Sequence, residues 1–147
     1  MSLFYIIQPQ GYSFWVFGIM NAILSEPLDI DIAMTLHPLC QVTDIEPDQA
    51  IKVLYQEQEI IVVRRGEQAF AYYNRCPHAG AKLDMNSENL ISFDQFHLFC
   101  SVHGALFHPA TGYCVAGPCS GQSLTPLPVT IREGKVCVFS DGTHDEV

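Results

Sequence analysis

The sequence predicts an all-β domain built from short antiparallel strands, and three observations predict it. Apolar residues after Lys52 come in short runs flanked by turn residues. No stretch keeps up a 3.6-residue apolar period. Nine prolines and ten glycines, many of them after Cys76, punctuate the chain as loops between strands. At 147 residues there is room for about one domain. Apolar residues make up 48% and charged residues 16%, the balance of a packed globule and not of a disordered chain.

The N-terminal stretch reads differently from the rest. Residues 1–25 carry no charge, and the apolar run Leu3–Leu24 is cut by Gln8-Pro9-Gln10-Gly11. What remains, Tyr12–Leu24, is thirteen residues, short of the roughly 20 that a membrane helix needs. Three readings stand: a hairpin or helix packed on the body, a membrane-contacting segment, or a stretch outside the working protein, with translation starting at Met34. The composition shift at Glu26–Asp31 favours the third. The expected division is therefore an atypical apolar extension, 1–33, and one domain, 34–147. Trp15 and the other early aromatics read as packing residues.

Within that domain Ile51–Tyr55 reads as a strand. Glu59–Arg65 is apolar and β-branched, Gly66-Glu67 turns the chain, and Gln68–Tyr73 returns, which predicts a hairpin. Phe96–Phe99 predicts a further strand leading into Cys100. Leu124–Ile131 and Lys135–Phe139 flank Arg132-Glu133-Gly134 as a second hairpin, with Val136 and Val138 alternating inward. Cys40 and Cys137 lie in strand-like apolar context and read as core.

Seven basic residues face sixteen acidic ones, a net charge of −9. This excludes the usual nucleic-acid binder, which must neutralise phosphates. The acidity fits docking onto a basic patch of a protein partner, or serves only solubility. Six cysteines are too few for a disulfide scaffold, and no basic residue precedes Lys52 to form a secretory leader. A cytoplasmic protein is expected, with no membrane location; in that reducing compartment paired cysteines and histidines point to metal.

Two loops carry such pairs: Cys76-Pro77-His78-Ala79-Gly80-Ala81 and Cys100-Ser101-Val102-His103-Gly104-Ala105. The pattern is C-x-H, twenty-one residues, then C-x-x-H. Zinc sites usually space like ligands together, as C-x₂₋₄-C and H-x₃₋₅-H. Mixed pairs on separate loops fit a two-metal cluster better, because one iron could take both thiolates and the other both imidazoles. Gly80 and Gly104 follow the histidines closely and let backbone approach a buried inorganic group. The other histidines, His37, His97, His108 and His144, lack a partner spacing. His97 reads as an outward strand residue, and His108, beside the second box, is the one further candidate.

The two boxes resemble those of Rieske [2Fe–2S] proteins, and Cys114-Val115-Ala116-Gly117-Pro118-Cys119 resembles that family's third, proline-containing loop. The similarity runs from about Leu36 to Ser140. It implies a small antiparallel sandwich of short sheets with two cluster-binding loops. It also implies that Cys76 and Cys100 ligate one iron of a [2Fe–2S] cluster and His78 and His103 the other. In respiratory members each box holds a further cysteine and the two form a disulfide. Ala81 and Val102 stand at those positions here. The same members carry hydroxyl groups after the second histidine, where this chain has Ala105 and Phe107. Without those donors the potential is expected toward the low end of the Rieske range of about −150 to +300 mV. Met85–Leu90 reads as a loop insertion. Cys114 and Cys119 read as inert packed thiols in preference to a redox-responsive pair.

The expected function is one-electron transfer, with a reductase as donor and a second protein as acceptor. The alternative is the ferredoxin component of a multicomponent oxygenase; a zinc-stabilised interaction module is the third class. No catalytic residue is expected, since an oxygenase needs a further mononuclear iron and only eight residues follow Phe139. The oligomeric state is left open.

Overall fold

Four consecutive β-branched residues, Ile60-Ile61-Val62-Val63, set the architecture. Successive side chains of a strand point to opposite faces, so a run buried throughout needs cover on both sides. In the computed structural model, which describes residues 35–140, all four have no exposed surface. Their burial contributes about 2 kcal/mol each. The nine strands among the described residues are β1 (Thr35–Gln41), β2 (Ala50–Tyr55), β3 (Gln58–Arg65), β4 (Gln68–Tyr73), β5 (Leu98–Phe99), β6 (Leu106–Phe107), β7 (Cys114–Ala116), β8 (Val129–Arg132) and β9 (Lys135–Ser140). They form three antiparallel sheets of three strands, ordered β1-β9-β8, β2-β3-β4 and β5-β6-β7. The all-β expectation holds. The division at Met34, Trp15 and His144 fall outside the described residues. Among the described residues no helix is long and apolar enough to cross a membrane.

The sheet containing β3 is packed on both faces. Ile60, Val62 and Ala71 meet Leu127, Val136 and Val138 of the β1-β9-β8 side. Ile61, Val63 and Tyr72 meet Leu83, Leu98, Phe107 and Leu124, together with Cys76, Cys100, Cys114 and Cys119. The second core thus ends on four cysteines. Cys137 is buried, and Cys40 is partly buried against the first core.

Two hairpins match their expected positions, with small corrections. The β3–β4 turn runs through Gly66 at φ +57°. The β8–β9 turn contracts to Glu133-Gly134, so that Arg132 belongs to β8 and pairs with Lys135. The expected strand Leu124–Ile131 shortens to Val129–Arg132 because Pro126 and Pro128 have no N–H to donate to a ladder. Phe96–Phe99 shortens to Leu98–Phe99 because the Asp94 carboxylate accepts the N–H groups of Phe96 and His97 and holds them in a turn. His97 is therefore a turn residue, its Nδ1 lying 2.6 Å from Asp94.

Candidate metal centre

The two boxes fold alike despite their different spacings. The Cys76 N–H donates to the Ala81 carbonyl at 2.7 Å, and the Gly80 N–H to the Cys76 carbonyl at 2.8 Å. The Cys100 N–H donates to the Ala105 carbonyl at 2.9 Å, and the Gly104 N–H to the Cys100 carbonyl at 2.9 Å. Each loop is thus closed twice, over the same offsets from its cysteine. The glycine four residues after each cysteine makes this closure possible, with φ +70° at Gly80 and +75° at Gly104. Histidine takes the second place after Cys76 and the third after Cys100, on the part of each loop that faces solvent.

The four predicted residues come together as two pairs. Cys76 and Cys100 are 1% and 0% exposed and belong to the same buried core. His78 and His103 are exposed, with Nδ1 atoms 3.3 Å apart and rings edge to face at a centroid distance of 4.6 Å. Sulfur faces the core and nitrogen faces solvent. Burial pushes the Cys76 thiol up, and so does Cys100, against a His78 backbone hydrogen bond that pulls it down. Two thiolates side by side in a dry site require positive charge beside them. The donor set therefore suits a cationic metal group bound through soft sulfur on the inside and imidazole on the outside.

Residues that carried no recognisable signal hold the boxes in place. Buried Asn74 accepts the Leu83 N–H at 2.9 Å and donates to Asp84 at 2.8 Å. On the other side of Leu83, its carbonyl accepts both the N–H and the hydroxyl of Ser101, each at 2.7 Å. Leu83 is fully buried, so this relay fixes the first box to the second through its backbone. Neither Asn74 nor Ser101 belongs to a residue type that a spacing rule would mark. The predicted insertion Met85–Leu90 is irregular loop, pinned where the Asn86 N–H donates to the Ser101 hydroxyl.

The third loop covers the second box. Gly117 has φ +106°, and a Cβ there would sit 2.7 Å from the Ala105 Cα. Only glycine allows so close an approach. Ala105 and Phe107, at the positions that lack hydroxyls, are fully buried. The Cys119 thiol donates to the Cys114 sulfur; burial and that neighbour push the Cys119 thiol up to about 12. Of the remaining histidines, His37 is exposed on β1. His108 accepts the Ala110 N–H and stacks edge-on to Phe96.

Comparison with protein families matches the Rieske [2Fe–2S] domain over residues 35–140. The chain belongs to the Rieske [2Fe–2S] family. Its cofactor is a [2Fe–2S] cluster and its work is electron transfer. The Rieske fold recurs in solved structures of similar size. The ferredoxin of Sphingomonas yanoikuyae B1 is 28% identical with a TM-score of 0.60, over 72% of this chain and 99% of that one. The ferredoxin of carbazole 1,9a-dioxygenase from Nocardioides aromaticivorans IC177 is 25% identical with a TM-score of 0.59, over 71% and 97%. A complex of reduced oxygenase and oxidised ferredoxin in carbazole 1,9a-dioxygenase contains a chain that is 26% identical with a TM-score of 0.59, over 72% and 94%. Comparison with curated protein sequences gives no match.

Proposed function

We propose that Cys76 and Cys100 ligate the inner iron, that His78 and His103 ligate the outer iron, and that electrons enter and leave at the two imidazoles. The observation that carries this reading is the contrast in burial: paired thiols within the core, paired imidazoles at the surface. When bound, the cluster supplies one-electron chemistry. The chain does the rest. Leu83, Leu98 and Phe107 keep water from the thiolate side. Asn74 and Ser101 hold the two loops at a fixed separation through Leu83. Beside the histidines in the two boxes, Ala79, Gly80 and Gly104 are exposed, small and uncharged, which lets a partner protein come close. With Ala105 and Phe107 offering no hydroxyl, the potential lies toward the low end of the range of about −150 to +300 mV.

The partners are a protein donor of the reductase type and a protein acceptor, and the setting is the cytoplasm. A ferredoxin component of a multicomponent oxygenase is the second reading. The similarity to a ferredoxin of carbazole 1,9a-dioxygenase, over 97% of that chain, is compatible with it. A single zinc is disfavoured by the mixed Cys–His pairs, since zinc sites usually space like ligands together. Iron and sulfide analysis, with low-temperature EPR of the dithionite-reduced full chain, tests the proposal. Equal iron and sulfide with a signal only after reduction is expected; a colourless, zinc-bearing protein overturns it.

A further inference from the structure

Cys114 and Cys119 lie outside the proposed ligand set, and their sulfurs are 3.0 Å apart. Both residues are 1% exposed and both thiols are free. The backbone holds them together. The Cys114 N–H donates to the Gln122 carbonyl at 2.9 Å, and the Gln122 N–H donates to the Cys119 carbonyl at 3.0 Å. Ser120 closes the loop again, its hydroxyl donating to the Gly117 carbonyl at 3.1 Å. The segment between the cysteines, Val115–Pro118, is exposed. The pair is thus a fixed dithiol one short loop away from solvent, and not two thiols packed independently.

We propose that Cys114 and Cys119 form a second redox group, a dithiol that closes to an intramolecular disulfide on reaction with hydrogen peroxide. One sulfur attacks a peroxide oxygen; an S–O bond forms, the O–O bond breaks, and one water leaves. The second sulfur then attacks the resulting sulfenic acid; the S–S bond forms, the S–O bond breaks, and a second water leaves. The two thiols give up two electrons and two protons, and the peroxide takes them. Peroxide is a small oxidant, and the loop Val115–Pro118 between the two cysteines is exposed. With the second sulfur already in place, the sulfenic acid is captured before it can oxidise further. A dithiol reductant reverses the change.

The test uses the cluster-loaded full chain. It is treated with hydrogen peroxide, denatured, alkylated with iodoacetamide and cut with chymotrypsin. The peptide Cys114–Leu124 is expected about 2 Da lighter than the dithiol and without alkylation, while the visible spectrum taken before denaturation is retained. Dithiothreitol restores two alkylations, and Cys119→Ser abolishes the mass loss. Alkylation of both cysteines after peroxide treatment overturns the proposal, as does a sulfinic acid at either one.

Discussion

Replacing Gly117 with alanine tests whether the third loop is seated on the second box as described. At φ +106° the new Cβ would lie 2.7 Å from the Ala105 Cα and 3.1 Å from its Cβ. Gly121 is the matched control: its φ is +87°, and a Cβ there meets nothing within 4 Å. Both substitutions carry backbone strain of about 1–2 kcal/mol. Only Gly117→Ala adds steric overlap, about 1–3 kcal/mol, because it meets the backbone of Ala105, which cannot rotate aside. The difference is about 2 kcal/mol. With a guanidinium slope of about 4 kcal/mol/M it corresponds to a midpoint roughly 0.5 M lower. The assay is a guanidinium titration followed by the visible absorbance of the cluster and by circular dichroism. Gly117→Ala should bleach at lower denaturant than Gly121→Ala. Equal midpoints would refute the close approach of Gly117 to Ala105.

Three further outcomes are expected. Cys76→Ser and Cys100→Ser should each reduce cluster content to near zero in iron and sulfide assays, because each removes one of the two buried thiolates proposed to hold the inner iron; full cluster content in either variant contradicts the proposed ligand set. Asn74→Ala leaves the buried Leu83 N–H without its acceptor, which costs about 1–3 kcal/mol and should lower Tm by several degrees in calorimetry; an unchanged Tm contradicts the relay. Burial works to raise Asp84, yet hydrogen bonds from Lys52 and Asn74 outweigh it and leave its carboxyl below 3.8, and Lys82 and Lys52 likewise lower Glu59. A lowered folded-state value stabilises above the ordinary carboxylate range and is lost as pH falls through it. Tm should therefore hold from neutrality down to about pH 5 and fall below about pH 4, less steeply in Asp84→Asn; equal slopes contradict the assignment to Asp84.

The parts of the fold that were legible are those where local chemistry and tertiary packing agree. The run Ile60–Val63 and the Gly66 turn mark the β3–β4 hairpin, and Glu133-Gly134 marks the last one. The β2–β3 hairpin was not expected, because its turn is Gln56-Glu57, at φ +47° and +63°. Neither residue favours that conformation, so tertiary packing imposes it. Strand β1 shows in the sequence only as the strand-like context of Cys40, because Pro38 interrupts its pattern. The strand tolerates the proline at an irregularity in its pairing with β9, between Pro38 and Cys40. Strands β6 and β7 have two and three residues, too few to show a period. The site reads more easily than the fold because Cys76, His78, Cys100 and His103 are chemically distinctive at fixed offsets. The residues that fix those loops, Asn74, Leu83 and Ser101, act through backbone hydrogen bonds that only the folded chain brings together.

The central claim is that the inner metal is held by sulfur and the outer one by nitrogen. Pulsed EPR of the dithionite-reduced full chain reads it directly, through the coupling of the unpaired electron to ligand nitrogen. Two distinct imidazole nitrogens should couple strongly, and substituting His78 or His103 should remove one of them or the cluster with it. A reduced-cluster signal with no strong nitrogen coupling, or with couplings unchanged in both histidine variants, would contradict the account.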